Sequence, residues 1–316
     1  MSDNRIDATK VLDAIDRHQY QDSVFTQFVS RQLTGLAETI YKTDKPALKA
    51  RQFLPIISRP SGEQVYSFRT STGIGEAKVT DDYANDSPNI EVSLGEDLTK
   101  HVTLRDHYNI SVDDLRKAAY ANMPLDSMKA LEARDAIERK IDALLAVGDS
   151  NRGVKGFINH SAVDFDDVTG DPWADKTAEE VLADLSEAIG TLASETLEVE
   201  GQENSVDIIV PPSQFRYVAH KQMPNLGMSL LTWIRTQLPE IRSFNSWHYL
   251  TGAGDSASDR MVIYSKSPAK LAGLVNMELV VHPAERRALV WKTELEAKCG
   301  GVVLYKPKSV LYRDGI

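Results

Sequence analysis

The chain contains almost no cysteine: Cys299 is the only one in 316 residues. An intrachain disulfide is therefore impossible, and so is a zinc site built from several cysteines. The surrounding segment, 295–304, is largely apolar and has the pattern of a strand. We interpret Cys299 as a small buried side chain rather than a nucleophile, because free cysteines are among the most frequently buried residues.

Long apolar runs and an excess of basic residues are also missing. No segment approaches the roughly 20 apolar residues that span a bilayer, and the N-terminus lacks the basic-then-apolar pattern of a secretory signal. We therefore expect no membrane partner and a chain that stays in the cytosol where it is made. The 36 basic and 46 acidic residues give a net charge of −10, which argues against tight, non-specific adhesion to nucleic acid.

Recognisable catalytic signatures are absent. The sequence has no GxSxG nucleophile elbow and no phosphate-binding GxxxxGK[ST] loop, and its 7 histidines are dispersed without metal-ligand spacing. The acidic segment 164–175 is charged enough to attract a hard cation, but it lacks the ligand order of an EF-hand. The sequence predicts no catalytic residue, no cofactor and no metal site.

The N-terminal segment 1–60 has the pattern of an arm. Short amphipathic pieces at helical spacing are separated by polar stretches, and Pro46, Pro55 and Pro60 interrupt any helix. From 62 to 104 the apolar residues alternate instead, on either side of an acidic, turn-rich stretch at 80–88. This pattern predicts a long β-hairpin with a polar tip. An isolated hairpin is marginal in water, so we expect it to rest on a neighbour.

The most regular part of the chain is a helical stretch that begins at Ser111. Asp114 follows three residues later as in a capping box, and Pro124 divides the stretch into two helices. The second helix is predicted over 126–147, with Gly148 as its stop. Its apolar stripe comprises Met128, Leu131, Ile137, Ile141, Leu144 and Leu145. Its polar face comprises Arg134, Asp135, Glu138, Arg139 and Asp142.

The second half alternates between helical and strand patterns. Thr177 and Glu180 cap a predicted helix, and 206–210 has the continuous apolar character of a strand buried on both faces. Further strands are predicted at 261–264 and 279–281, and two long-strand candidates at 289–291 and 302–305.

This order resembles the HK97-type major capsid fold of tailed bacteriophages. The most specific match is the Ala/Leu-rich helix end 136–148 followed by Gly153, Gly156, Phe157 and Asn159. The resemblance implies an α+β fold with an N-terminal arm at 1–60 and an extended hairpin, the E-loop, at 61–105. It also implies a peripheral domain with the spine helix at 106–156, an axial α/β domain at 157–280, and C-terminal strands at 281–316 that complete the peripheral domain.

The function implied by the resemblance is that of a non-enzymatic major capsid subunit. It would self-assemble into hexamers and pentamers of an icosahedral shell that encloses phage DNA without sequence-specific binding. The implied location is the virion capsid, with assembly in the host bacterial cytoplasm; a separate scaffolding protein, a portal and decoration proteins are conceivable partners. Two alternatives stay open: an encapsulin-like compartment shell and a soluble α/β enzyme. Candidate inter-subunit contacts are Arg69, Lys78 and Glu91 on the hairpin, and Arg134, Glu138 and Arg139 on the spine helix.

Overall fold

A computed structural model describes residues 44–74, 91–120, 125–168, 171–196, 205–224 and 227–316. The chain divides into two units, Met1–Pro46 and Ala47–Ile316, and everything below concerns the second. Its helices are α1 (Ala50–Phe53), α2 (Val112–Tyr120), α3 (Leu125–Ala146), α4 (Ala178–Thr196), α5 (Pro212–His220) and α6 (Leu230–Gln237). Its strands are β1 (Ile56–Ser58), β2 (Val65–Ile74), β3 (Glu91–Lys100), β4 (Val102–Ser111), β5 (Gly148–Asp149), β6 (Val154–Lys155), β7 (Phe165–Asp167), β8 (Val206–Val210), β9 (Ile241–Ser246), β10 (Arg260–Tyr264), β11 (Leu271–Val281), β12 (Glu285–Arg287), β13 (Val290–Leu304) and β14 (Val310–Asp314).

The first sheet is organised around the long strand β13. One edge of β13 pairs with β4, and the other pairs with β11 and β12; β11 in turn pairs with β1. The 22-residue helix α3 packs on this sheet. The two predicted strand candidates at 289–291 and 302–305 are therefore parts of one strand, because the polar residues between them alternate with buried ones along β13.

The second sheet has the order β7-β14-β10-β8-β9. Every residue of β8, β10 and β14 is buried, because both faces of the sheet are covered. Ile209 belongs to the apolar cluster shared with the first sheet, whereas Ile208 belongs to the cluster under α4, α5 and α6. The buried character predicted for 206–210 is confirmed.

Two strands lie in a different part of the fold from the one predicted for their segments of the sequence. β14 is in the second sheet, between β7 and β10, although 281–316 was predicted to complete the peripheral domain with the spine. β1 pairs in parallel with β11 in the first sheet, although 1–60 was predicted to be an arm. These pairings join residues that are distant in sequence, for example by 54 positions for Arg260 and Asp314 and by 217 for Ile56 and Gly273, and local patterns do not encode them.

The spine region confirms the predicted capping box and corrects the predicted faces. The Ser111 hydroxyl accepts from the Asp114 amide at 2.9 Å, and the Asp114 carboxylate accepts from the Ser111 amide at 3.3 Å. Leu131, predicted to lie in the apolar stripe of α3, is 55% exposed. Asp142, predicted on the polar face, is buried, and it accepts from the amides of Lys49 at 3.0 Å and Ala50 at 2.8 Å. It thereby caps α1, a tertiary role that helical spacing does not reveal.

The loop that leaves α3 folds back onto the end of the helix. Gly148 adopts φ +79°, which stops the helix as predicted. The amides of Phe157 and Ile158 then donate to the carbonyls of Leu145 and Ala146, both at 3.0 Å. Backbone carbonyls that every α-helix leaves open at its end are thus satisfied by the returning loop.

A buried ion pair ties this loop to the second sheet. Arg260 donates to both carboxylate oxygens of Asp314 at 2.6 Å and to the carbonyl of Ile158 at 2.7 Å. The Tyr312 hydroxyl donates to the carbonyl of Phe157 and accepts from the His160 amide. The loop that leaves the spine helix is therefore hydrogen-bonded to both β10 and β14.

Candidate subunit-contact surface

The hairpin formed by β2 and β3 presents two chemically different faces. The strands are antiparallel with Val65 opposite Lys100 and Ile74 opposite Glu91. Because side chains alternate across a strand, directly opposed residues share a face. One face, called here the inner face, carries Tyr66, Phe68, Asp97 and Thr99; the other, the outer face, carries Val65, Ser67, Arg69, Ser71, Val92, Leu94, Glu96, Leu98 and Lys100.

The inner face fastens the hairpin base to its own subunit. The hydroxyls of Tyr66 and Tyr305 are 3.0 Å apart, and the Phe68 ring meets the Tyr305 ring edge-on with centroids at 5.1 Å. Asp97 forms an ion pair with Lys155 at 3.1 Å. Burial and the Tyr66 hydroxyl raise the pKa of Tyr305 far above its usual value, which keeps that phenol neutral.

Among the described residues of its own subunit, none buries the apolar side chains of the outer face. Val92 is 60% exposed, Leu94 72% and Leu98 57%. Arg69 lies directly opposite Glu96 in the middle of this face. Large apolar side chains that are exposed next to one another often mark a surface that binds another protein. The contacts predicted from the sequence were charged residues and did not include this stripe, although alternation along 92–98 carries the signal.

The predicted contact residues fall into three groups. Arg69 is exposed on the outer face, and Arg134 is exposed on α3 and forms no ion pair with any described residue. Glu138 accepts from Arg51 at 3.3 Å, and Arg139 donates to Asp135 at 2.9 Å, so these two have partners within the subunit. Lys78 lies outside the described residues, and Glu91 is described only as the first residue of β3.

The exposed part of the spine helix therefore centres on Leu131 and Arg134. Arg51 also donates to Glu278 of β11 at 2.8 Å and 2.9 Å, which raises the pKa of the guanidinium and lowers that of the Glu278 carboxyl. This network occupies Glu138 and leaves the neighbouring turn of α3 open. An apolar and a basic side chain then stand side by side on the helix.

The groups that would carry chemistry are held inert or are paired. Burial raises the pKa of the Cys299 thiol to about 11, which keeps it protonated at neutral pH. A cavity of about 620 Å³ at the far end of the first sheet has both acidic and basic lining. Its groups pair with each other, Arg105 with Glu296 at 3.2 Å and Lys292 with Glu294 at 2.7 Å. Within the described ranges, no three His, Cys, Asp or Glu side chains are grouped so as to hold a metal ion.

Comparison with known proteins identifies the family. A family model for the major capsid protein matches residues 75–316, about three quarters of the chain. The chain belongs to the major capsid protein family. As a member of that family it is a structural subunit of a capsid shell. No curated protein sequence matches it, and no helix in the described part is long and apolar enough to cross a membrane.

Solved capsid structures share the fold of this capsid protein at low sequence identity. The capsid of Myoviridae phage XM1 superposes with a TM-score of 0.77 at 17% identity, covering 91% of this chain and 98% of that chain. A structure from Mycobacterium phage Ogopogo gives 0.61 at 12% identity, covering 90% and 98%. A virus-like particle from Pyrococcus furiosus gives 0.55 at 13% identity, covering 83% and 91%. The predicted HK97-like α+β fold is confirmed.

Proposed function

We propose that this capsid protein self-assembles into hexamers and pentamers of an icosahedral shell that encloses phage DNA, and that the outer face of the hairpin is a principal contact between copies. The observation that carries the proposal is the exposed apolar stripe of Val92, Leu94 and Leu98 on a hairpin whose other face is already fastened to its own subunit. A closed shell requires heterologous contacts, in which a projecting element of one copy lies on a different surface of the next.

The surface that receives the hairpin is proposed to be the spine helix of a neighbouring copy. Leu131 offers an apolar side chain for the stripe, and Arg134, which is exposed and has no ion pair with a described residue, offers a cation for Glu96 of the outer face. Arg69, Lys78, Glu91, Glu138 and Arg139 remain predicted contacts, with Glu138 and Arg139 already engaged inside the subunit. Rim charges of this kind orient the contact more than they stabilise it.

Magnitudes indicate that the hairpin cannot act alone. Burying each of the three apolar side chains stabilises a contact by about 1–2 kcal/mol, given that they are already partly covered. Their sum is about 3–6 kcal/mol. Association costs roughly 4–15 kcal/mol in lost translational and rotational freedom, so the stripe offsets only the lowest estimates of that cost. Other contacts, and the multiplicity of a closed shell, must supply the remainder.

The two sheets suggest how the chain divides into domains. We assign the E-loop to β2 and β3, the peripheral domain to α3 and the first sheet, and the axial domain to the second sheet with α4, α5 and α6. β14 then belongs to the axial domain. The shell subunit is proposed to be non-enzymatic, to bind DNA without sequence specificity, and to assemble in the host bacterial cytoplasm. A separate scaffolding protein, a portal and decoration proteins remain candidate partners.

The proposal is tested by reversing the character of the outer face at one position. Leu94→Lys in the full-length chain is expected to abolish particles in size-exclusion chromatography with light scattering and in negative-stain microscopy. The control is Ser93→Lys, which adds the same charge at the adjacent exposed residue on the opposite face and is expected to assemble. Circular dichroism should show both variants folded. Normal assembly of Leu94→Lys, or equal failure of the two folded variants, would refute the contact.

The encapsulin-like alternative is supported by the likeness to the virus-like particle from Pyrococcus furiosus. Microscopy of particles purified from infected or expressing cells separates the two functions. Tailed, DNA-filled particles support the phage shell, whereas small cages filled with protein support the compartment. A chain that stays monomeric at all salt and protein concentrations and turns over a substrate would instead support the enzyme alternative.

A further inference from the structure

His101 is the one residue between the last strand of the hairpin and the first sheet. β3 ends at Lys100 and β4 begins at Val102. The His101 amide donates to the carbonyl of Gln64 at 2.9 Å, just before β2 begins. The residue therefore closes the base of the hairpin, where both of its strands leave the body of the subunit. Backbone rotation at this position or at Gln64 would change the orientation of the hairpin.

The imidazole of His101 is held in an unusual way. Both ring nitrogens are buried, and neither has a hydrogen-bond partner among the described residues. The ring lies against the bare backbone of Gly300 in β13: a Cβ on Gly300 would stand 2.3 Å from Nδ1 and 2.7 Å from Cε1. Glycine is therefore needed for the ring to sit there. A neutral imidazole leaves one donor and one acceptor unsatisfied in this position, which is costly, but an imidazolium would leave two donors unsatisfied.

The charged side chains around the ring act on its protonation in both directions. The loop before β2 contributes Arg59 and Glu63, which pair with each other at 3.5 Å, and β13 contributes Lys298; Leu274 of β11 is uncharged. The one carboxylate is thus already shared with a cation. Burial first, and then Arg59 and Lys298, lower the pKa of His101 below its usual 6.5, with Glu63 acting in the opposite direction.

We propose that His101 is a pH-sensitive pivot of the hairpin: the neutral ring seats the base against Gly300, and protonation expels the ring and loosens the base. This inference rests on the proposed function, because movement of the base affects assembly only if the hairpin contacts a neighbouring copy. The direction follows from the geometry. The expelled ring titrates near 6.5 and the seated ring has a lower pKa, so acid favours the open base as the pH falls from 6.5 towards the pKa of the seated ring. At neutral pH the base stays closed.

Hydrogen exchange of the full-length protein tests this proposal at pH 7.5 and pH 5.0, after correction for the intrinsic exchange rate. We expect the peptides that cover 62–67 and 99–104 to lose more protection at the lower pH than the β8 peptide, which reports on the stability of the whole fold. His101→Phe keeps a flat ring that cannot titrate and should abolish the difference. His101→Gln provides a second non-titrating variant if the larger ring of His101→Phe disturbs the fold.

Two outcomes would overturn the pivot. One is unchanged protection of the wild-type base between the two pH values, and the other is an equal loss in both non-titrating variants. The readout is local to one subunit and does not require particles. The two proposals can therefore fail separately. If Leu94→Lys still assembles but the wild-type hairpin base loses protection at low pH, the proposed contact is refuted and the pivot stands. If Leu94→Lys fails to assemble but the protection of the base does not change with pH, the pivot is refuted and the contact stands.

Discussion

Replacing Gly156 by alanine is expected to be among the most damaging single-methyl changes in this capsid protein. A Cβ at Gly156 would stand 2.2 Å from the carbonyl carbon of Val147, 2.4 Å from its oxygen and 2.6 Å from the oxygen of Ala146. All three are backbone atoms at the end of the spine helix, so no side chain can rotate away. The loop or the helix end must move by about 1 Å to restore ordinary van der Waals contact.

That movement breaks or stretches the two hydrogen bonds by which Phe157 and Ile158 cap the helix, each 3.0 Å long. Each bond contributes about 0.5–1.5 kcal/mol, and overpacking a filled site adds about 1–3 kcal/mol. We expect a loss of about 3 kcal/mol in the free energy of unfolding. Gly190→Ala is the matched control, because nothing lies within 4 Å of a Cβ there and the residue is inside α4. It should stabilise by up to about 1 kcal/mol.

Urea unfolding of the two unassembled variants, followed by tryptophan fluorescence, measures the difference. Trp247 reports on the cluster that contains α3, and Trp173 reports on the cluster under α4. The same chemical change should thus differ by about 4 kcal/mol between the two sites. A Gly156→Ala protein within about 0.5 kcal/mol of wild type would refute the reasoning, because it would mean that the exit loop adapts freely.

Two further predictions concern the buried groups beside the exit loop. Arg260→Leu leaves Asp314, which is 0% exposed, without its cation, and should lower the free energy of unfolding in urea by about 3–5 kcal/mol. The double variant, Arg260→Leu with Asp314→Leu, should recover much of that loss. No recovery would contradict the ion-pair explanation. Burial, with a contribution from Lys155, lowers the pKa of His160 to about 4, so the unfolded chain binds this proton more readily than the folded one. Stability should therefore be lost as the pH falls from 6.5 towards 4, by up to about 3 kcal/mol. His160→Gln should flatten the curve of unfolding free energy against pH by that amount, and an unchanged curve would show that His160 is not the group responsible.

Local features of the sequence were reliable wherever a few neighbouring residues decide the outcome. The capping residues Ser111 and Thr177 begin α2 and α4 with the predicted side-chain hydrogen bonds, and Gly148 ends the spine in the left-handed conformation. These signals depend on atoms within about four residues, so they survive in any fold. The order of such elements was enough to indicate the capsid family.

The faces of those elements were less predictable. Helical spacing placed Leu131 inside and Asp142 outside, and the structure has the reverse. The stripe is displaced because Asp142 caps α1, a helix more than 90 residues earlier in the chain. On the hairpin, the predicted contacts were charged residues, although alternation along β3 already places Val92, Leu94 and Leu98 on one face. Only the tertiary structure shows that the opposite face is the one packed on its own subunit.

The sequence by itself determined the main helices and their ends, the hairpin, the buried strand at 206–210 and the resemblance to the capsid family. Tertiary structure alone decided that β14 lies in the second sheet, that Gly300 makes room for the His101 ring, and that the hairpin is fastened on one face and open on the other. The division has a physical cause. Helix caps and alternation act within a few residues, whereas strand order and packing depend on contacts between residues that are far apart in the sequence.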